Sequence, residues 1–510
     1  MTDPSRPRGR DRPPAIPAIP AGYRAVRWLA RMSLTWFYRD VETIGIERIP
    51  RDGPVLFAVN HPNALMDAMA IGAAVPRRVL ITAKATLFAN PVVAFLLSWI
   101  GVVPLRRAID ERRPRVSGEV RAGAGAGAGA DAGVPPRQQS SPDSTLTSHR
   151  ISAPGTARAR NAESFTRIVD ALAAGGAVLL FPEGRTHNDP QLSPLKTGLA
   201  RIALESRDGR GVRGITVVPV GLVFERKWEP RSRLLVTVGE PLALDGWQPD
   251  TDRGVAEQLT AEVERRLRDV TLNFPSPAAR DEAQAVAQMI AIATAGRALP
   301  LGRPDPPLPE AVALARRAAH VRTQTDATGG DSAASVARYR ERYARFSSDL
   351  TDAGVDAPDL LVDLGLTSGA RFAVRESMLL LIGGPLALWG RINHWIPLRA
   401  ARAIAQRTSR SAEDPATHTV VIGLGLVLLC YALQSATVAF LAGGWWALLY
   451  LCVLPISASW DLRSGDRRRH AARRMRTYLR LRRDPALRDR LRAELEWIRT
   501  EGEALERNAG

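Results

Sequence analysis

Residues Val55 to Asp67 read VLFAVNHPNALMD, and the order of residue types in this stretch decides the fold. An apolar, β-branched and aromatic run bounded by Gly53-Pro54 predicts a buried strand. Asn60, His61 and Asn63 follow it, and Leu65, Met66, Met69 and Ile71 then recur at roughly helical spacing. His61 therefore falls at the carboxyl end of a strand, where open α/β sheets bind their ligands. Asp67 falls about one turn into the following helix. Histidine accepts and returns a proton near neutral pH, and a carboxylate on its second nitrogen fixes the tautomer and steadies the imidazolium. A His beside an Asp is more often a structural pair than a catalytic one, so the rest of the chain has to decide between them.

Outward from this stretch, Val41 to Ile44, Val79 to Thr82, Ala177 to Phe181, Ile215 to Val220 and Leu234 to Val238 read as strands. Ser164 to Ala174, Lys196 to Ser206 and Val255 to Val270 read as helices. Strands alternating with helices predict an α/β fold, a largely parallel sheet flanked by helices, over residues 21–275. Tyr23 to Tyr38 alternates arginines with Trp28, Leu29, Leu34 and Trp36, and suits either a bilayer interface or a helix docked on the domain. The uncharged NPVVAFLLSWIGVV is too short to span a bilayer and predicts a buried helix leading into a strand, or a lipid-facing one. The Pro- and Arg-rich residues 1–20 predict disorder, and residues 108–160, with their GAGAGAGA repeat, a flexible insertion.

Beyond Pro275 the expected order is a helical region at 276–370, a membrane region at 371–460 and a basic amphipathic helical tail at 461–510. Two uncharged blocks separated by Gly443-Gly444 predict a transmembrane hairpin over 419–459. Met378 to Trp389, short and flanked by Arg375 and Arg391, predicts an interfacial or re-entrant segment. A formal charge of +18 and a pI near 11.0 call for an anionic partner. Basic residues next to apolar spans point to anionic membrane lipids rather than nucleic acid, with the tail and the catalytic portion cytoplasmic. No apolar core precedes Tyr23, so no secretory signal is expected. Cys430 and Cys452 lie inside apolar runs, which suggests neither a disulfide framework nor a thiolate metal site. A Gly-x-Ser-x-Gly hydrolase motif is absent from the sequence.

Three further stretches fall at predicted strand ends: GVVPLRR (Gly101 to Arg107), FPEGRTH (Phe181 to His187) and VVPVGL (Val217 to Leu222), the last read as a strand that its proline ends. With NHPNALMD these blocks, in this order, resemble the glycerolipid acyltransferases, which transfer fatty acyl groups onto glycerol phosphates and lysophospholipids. The resemblance implies base-assisted acyl transfer, with His61, oriented by Asp67, deprotonating an acceptor hydroxyl that attacks an acyl thioester. It further implies that Arg107, Glu183, Gly184 and Arg185, with Asn63 and Thr186 beside them, hold the acceptor and that Pro219 shapes the acyl side. No metal or cofactor is implied; the donor is an acyl-coenzyme A or acyl carrier protein thioester. Five residues separate His61 from Asp67 where the family usually has four. That spacing, and the Thr-His-Asn-Asp after FPEGR, look more like the fungal and bacterial branch that acylates the first position of glycerol 3-phosphate or dihydroxyacetone phosphate. The alternatives are a lysophosphatidate acyltransferase and a non-catalytic membrane scaffold that retains the fold.

Overall fold

The computed structural model describes residues 21–84, 102–105, 154–294, 307–328, 331–361, 365–408 and 415–509. In chain order the first elements are α1 (Ala21–Phe37), β1 (Asp40–Ile44), β2 (Val55–Val59), α2 (Ala64–Ala74), β3 (Val79–Lys84), β4 (Val103–Leu105), α3 (Pro154–Ala173) and β5 (Ala177–Leu180). They continue with α4 (Gly198–Leu204), β6 (Thr216–Phe224), β7 (Arg233–Val238), β8 (Leu242–Ala243) and α5 (Val255–Val270). Two compact units divide the chain: Met1–Ile81 with Val169–Gly510, and Thr82–Ile168.

In the first unit the strands run β1-β7-β6-β2-β5-β3. β2 lies between β5 and β6 and is parallel to both, Val55 standing opposite Ala177 and Thr216. Every residue of β2 is fully buried, which explains its unbroken apolar run: a central parallel strand is covered on both faces. The sheet is mixed, because β7 and β8 return antiparallel to β6 while β1 pairs parallel with β7. β6 also corrects the expectation that Pro219 ends a strand, since it runs on to Phe224. Pro219 falls between the residues paired with β8 and those paired with β7, at a gap in that ladder where a missing N–H costs least. Its carbonyl accepts from Gly239 N at 2.9 Å.

α1 is docked. Arg31 donates to the Ala73 carbonyl at the end of α2 at 3.0 and 2.8 Å, a cation at the negative end of a helix dipole, while Leu34 and Phe37 are buried and Trp28 faces outward. In the second unit, β4 pairs parallel with Thr82–Lys84, and Ser164 Oγ donates to the Pro104 carbonyl at 2.7 Å. α3 starts ten residues before the expected Ser164, inside the stretch read as flexible insertion, with a proline in its first turn where no N–H is needed. The rest of that insertion, and Phe88 to Gly101 of the apolar stretch, lie outside the described residues, as do residues 1–20 and Arg107.

The C-terminal elements are α6 (Pro277–Thr294), α7 (Leu308–Thr328), α8 (Asp331–Ala353), α9 (Leu366–Thr408), α10 (Pro415–Ala442), α11 (Gly444–Arg483) and α12 (Pro485–Ala509). The tail is packed: Leu491, Leu495 and Ile498 of α12 share a core with Phe346 and Leu350 of α8 and with Leu360. Among the described residues, three helices are long and apolar enough to cross a membrane: Gly369–Ala405, Thr419–Ala442 and Gly444–Arg483. The first takes in Met378 to Trp389, the segment expected to be interfacial or re-entrant, within one continuous helix. Exposed apolar residues continue past Arg391 through Ile392, Trp395 and Ile396, so that arginine interrupts an apolar helix rather than ending it. Gly443, at φ +93°, makes the turn between α10 and α11 that the hairpin requires. α11 then runs unbroken from its apolar half into the basic segment.

Gly221 marks the tightest approach in the sheet domain, since a Cβ there would lie 2.0 Å from the Val270 carbonyl oxygen, whereas one on Gly72 in α2 meets only Ile81 Cδ1 at 4.0 Å. Gly221→Ala is expected to destabilise by about 2 kcal/mol or more, and Gly72→Ala to stabilise by roughly 0.5–1 kcal/mol. Thermal melts of the purified variants check this, and a tolerated Gly221→Ala would contradict the packing described.

Candidate active site

At the end of β2, Asn60 continues the ladder with its side chain: Nδ2 donates to the Leu222 carbonyl at 3.1 Å and Oδ1 accepts from Leu222 N at 2.7 Å. The chain then leaves the sheet. His61 Nδ1 stands 3.0 Å from Asp67 Oδ2, and the same oxygen accepts from Asn63 N at 2.7 Å. Ala64 sits at φ +45°, a left-handed conformation uncommon for a residue with a Cβ, and the helix starts there. Asp67 then lies in the first turn of α2, facing back toward His61, and both side chains are buried.

Burial pushes the Asp67 carboxyl above its ordinary 3.8, while the His61 ring and the Asn63 N–H draw it back down. An ionised carboxylate only accepts, so the Asp67 contact puts a proton on His61 Nδ1 and leaves Nε2 as the basic nitrogen. The ring is held flat against Phe181, with centroids 3.8 Å apart and planes 17° from parallel.

The loop after β5 supplies the other half of the site. Gly184, at φ +68°, closes the turn, donating to the Phe181 carbonyl at 3.0 Å. Glu183 is buried, and its Oε1 accepts from His61 N at 2.8 Å. Its Oε2 accepts from Ser193 N at 2.8 Å and from His187 Nε2. Asp189 N donates to His187 Nδ1 at 3.2 Å, which places the His187 proton on Nε2, toward Glu183.

These contacts redistribute the residues expected to hold an acceptor. Glu183 directs both carboxylate oxygens to protein donors and braces the backbone of His61. Asn63 turns inward, its Nδ2 donating to Tyr38 Oη at 3.0 Å and to the Lys227 carbonyl at 3.3 Å. Arg185 is exposed, bonded to Asp189 Oδ2 at 2.8 Å and Ser193 Oγ at 3.0 Å. Thr186 follows it in the same loop, half-buried. Pro219 is buried in β6 opposite Ala58, where a Cβ on Gly239 would come within 3.0 Å of its ring.

The reading from sequence missed Asn60, Tyr38, Ser193, His187 and Lys227. His187 carried one local signal, its position four residues after Glu183; Tyr38 and Lys227 come from distant segments and carried none. A cleft of about 890 Å³ opens beside this cluster, lined by Asn60, Pro62, Glu183, His187 and Lys227 from the sheet side and reaching Arg473 on α11. Its size suits a substrate larger than a three-carbon phosphate.

Residues 40–223 match the family described as Acyltransferase. Glycerol-3-phosphate O-acyltransferase 2 of Saccharomyces cerevisiae is 34% identical over 119 residues, 22% of this chain and 16% of the relative. Glycerol-3-phosphate O-acyltransferase 1 of the same yeast is 24% identical over 298 residues, 49% of this chain and 39% of the relative. An uncharacterized acyltransferase of Schizosaccharomyces pombe is 25% identical over 264 residues, 44% and 39% of the two chains. This chain thus spans less than half the length of the curated relatives it matches. A solved 1-acyl-sn-glycerophosphate acyltransferase from Thermotoga maritima, 19% identical, covers 49% of this chain and 78% of its own at a TM-score of 0.32, too low to bear on the fold.

The raised Asp67 carboxyl gives a stability signature. A carboxyl that titrates higher in the folded state favours folding below its unfolded pKa of 3.8, and that contribution is lost as pH rises through the folded value. Asp67→Asn removes the loss. The melting temperature of Asp67→Asn relative to the parent is therefore expected to be higher at about pH 7 than at about pH 4; the same difference at both would contradict the burial effect.

Proposed function

We propose that this chain, which carries an acyltransferase-family domain at residues 40–223, is a membrane-bound glycerolipid O-acyltransferase. Its reaction moves a fatty acyl group from a thioester to the sn-1 hydroxyl of glycerol 3-phosphate or dihydroxyacetone phosphate. The observation that carries the reading is the buried His61–Asp67 pair at the end of the central strand, 3.0 Å apart with Nε2 left as the base. The likeness to two yeast enzymes named for glycerol 3-phosphate favours that acceptor over lysophosphatidate.

The steps follow from the tautomer. His61 Nε2 takes the proton of the acceptor hydroxyl as its oxygen attacks the thioester carbonyl, and Asp67 steadies the imidazolium. When the tetrahedral adduct collapses, the carbon–sulfur bond breaks and the imidazolium returns its proton to the leaving thiolate. The ester and a free thiol are the products, and no proton or electron is left unaccounted for. Glu183 acts through His61, fixing the backbone from which the base projects. Arg185 takes the acceptor phosphate, a guanidinium fork being suited to paired hydrogen bonds with phosphate oxygens. Gly184 and Thr186 shape that pocket, and Pro219 borders the acyl side. The donor is an acyl-coenzyme A or acyl carrier protein thioester.

The apolar hairpin of α10 and α11 anchors the protein in the bilayer, with α9 lying against it at the interface. The basic half of α11, with Arg463, Arg467, Arg468 and Arg469, supports a cytoplasmic catalytic unit set against anionic lipid head groups.

The test is thiol release by the purified full chain in detergent, with glycerol 3-phosphate, dihydroxyacetone phosphate and lysophosphatidate offered separately. Transfer to the first two, reduced about a hundredfold or more in His61→Ala, is the expected result. Activity confined to lysophosphatidate would replace the acceptor assigned here, and activity indifferent to His61→Ala would remove the base.

A further inference from the structure

A second cavity lies away from the catalytic cluster, among α1, α9, α10 and α11, with a volume of about 200 Å³. Its walls are apolar: Trp36 from α1, Leu398 from α9, and Val420, Leu424 and Val427 from α10. Gly423 also lines it, and a Cβ at that position would meet only Ala401 Cβ, at 3.5 Å. Arg231, Arg391, Arg402 and Arg469 line the same cavity, with Asp461 as the lining carboxylate. The available acids do not balance these arginines. Arg231 and Arg469 share Asp466, at 2.5 and 2.6 Å, and Arg391 pairs with Asp461 at 3.1 Å. Arg402 is exposed and makes no ion pair among the described residues. Two carboxylates thus face four guanidinium groups where apolar helix faces meet the polar part of the chain.

We infer that this cavity binds an anionic phospholipid, with its phosphate at Arg402 and Arg469 and part of one acyl chain between α9 and α10. The inference rests on the proposed membrane placement of α9, α10 and α11. Charge complementarity selects the head group, since a surplus of guanidinium beside bilayer-facing helices attracts anionic over zwitterionic lipid. The small apolar volume admits a stretch of one chain, and the remainder lies along the exposed residues of α9 and α10, such as Ile404, Val421 and Leu428. The site also touches the catalytic cluster through one short segment. Trp36 lines the cavity, and two residues on, Tyr38 Oη accepts from Asn63 at 3.0 Å. An occupant packed on Trp36 therefore steadies the segment that supports the His61 loop.

The experiment uses the full chain released from its membrane in mild detergent. Phosphatidylglycerol, phosphatidylcholine or inorganic phosphate is added separately, and bound lipid is read by native mass spectrometry beside the melting temperature. The parent is expected to retain phosphatidylglycerol in preference to phosphatidylcholine and to melt higher with it. Arg402→Gln is expected to lower that retention about fivefold, the scale of one juxtamembrane charge, and the cavity-filling Gly423→Leu to lower it as well, while Arg402→Lys keeps most of it. Equal retention of the two lipids by the parent, selectivity unchanged in both variants, or the same rise in melting with inorganic phosphate would each overturn the lipid site. Membrane placement is read separately: a chain washed from membranes by alkaline carbonate would refute the anchoring, whereas an integral chain without lipid selectivity would refute only this inference.

Discussion

The site depends on one hydrogen bond, from the backbone N–H of His61 to the buried carboxylate of Glu183, at 2.8 Å. Its two ends come from loops that leave the neighbouring parallel strands β2 and β5 at the same edge of the sheet. Parallel pairing in register makes such a contact available, because the loops after adjacent strands emerge side by side. A charge-assisted bond in a buried setting is among the stronger polar contacts a protein makes. A lone buried carboxylate would be costly, and Glu183 avoids that with donors from His61, Ser193 and His187. The carboxylate that a family likeness assigns to the acceptor is here largely committed to holding the His61 backbone.

Asp67 works under the opposite pressure. It is wholly buried, and burial raises its pKa, so its charge is maintained by His61 and the Asn63 amide rather than by solvent. Ala64, between His61 and Asp67, sits at φ +45°, a conformational cost that the surrounding contacts outweigh. Tyr38 and Lys227 hold Asn63 from outside the loop. Tyr38 is itself fixed between Phe37 and Phe224, and Arg231 ties this corner to Asp466 of α11. The helical C-terminal half is thereby joined to the corner that holds His61 and Asn63.

Much of this was legible in the sequence because the signals were local. The unbroken apolar run of Val55 to Val59 reports a central strand buried on both faces, and the switch to helical spacing after Asn63 reports α2. Pro219 misled because a strand proline was read without knowing what lay beside it; the ladder gap that admits it is a property of β7 and β8. Arg391 marks no helix end: α9 and its exposed apolar residues continue beyond it, which one charge in the sequence does not reveal. Tyr38 and Lys227 reach the site only through folding, and no local pattern marks them. Glu183 was found, but its partners, and so what it does there, depend on a backbone amide 122 residues away in the chain.

The most direct measurement is the rate of acyl transfer by Asp67→Asn, compared with the parent under saturating substrates, with cooperative melting confirmed for both. If Asp67 orients the base and steadies its protonated form, the rate falls by about a hundredfold or more while the acceptor KM is little changed. A rate within about threefold of the parent, a difference of well under 1 kcal/mol in barrier, would contradict the assignment of His61 and Asp67 as the proton-transferring pair.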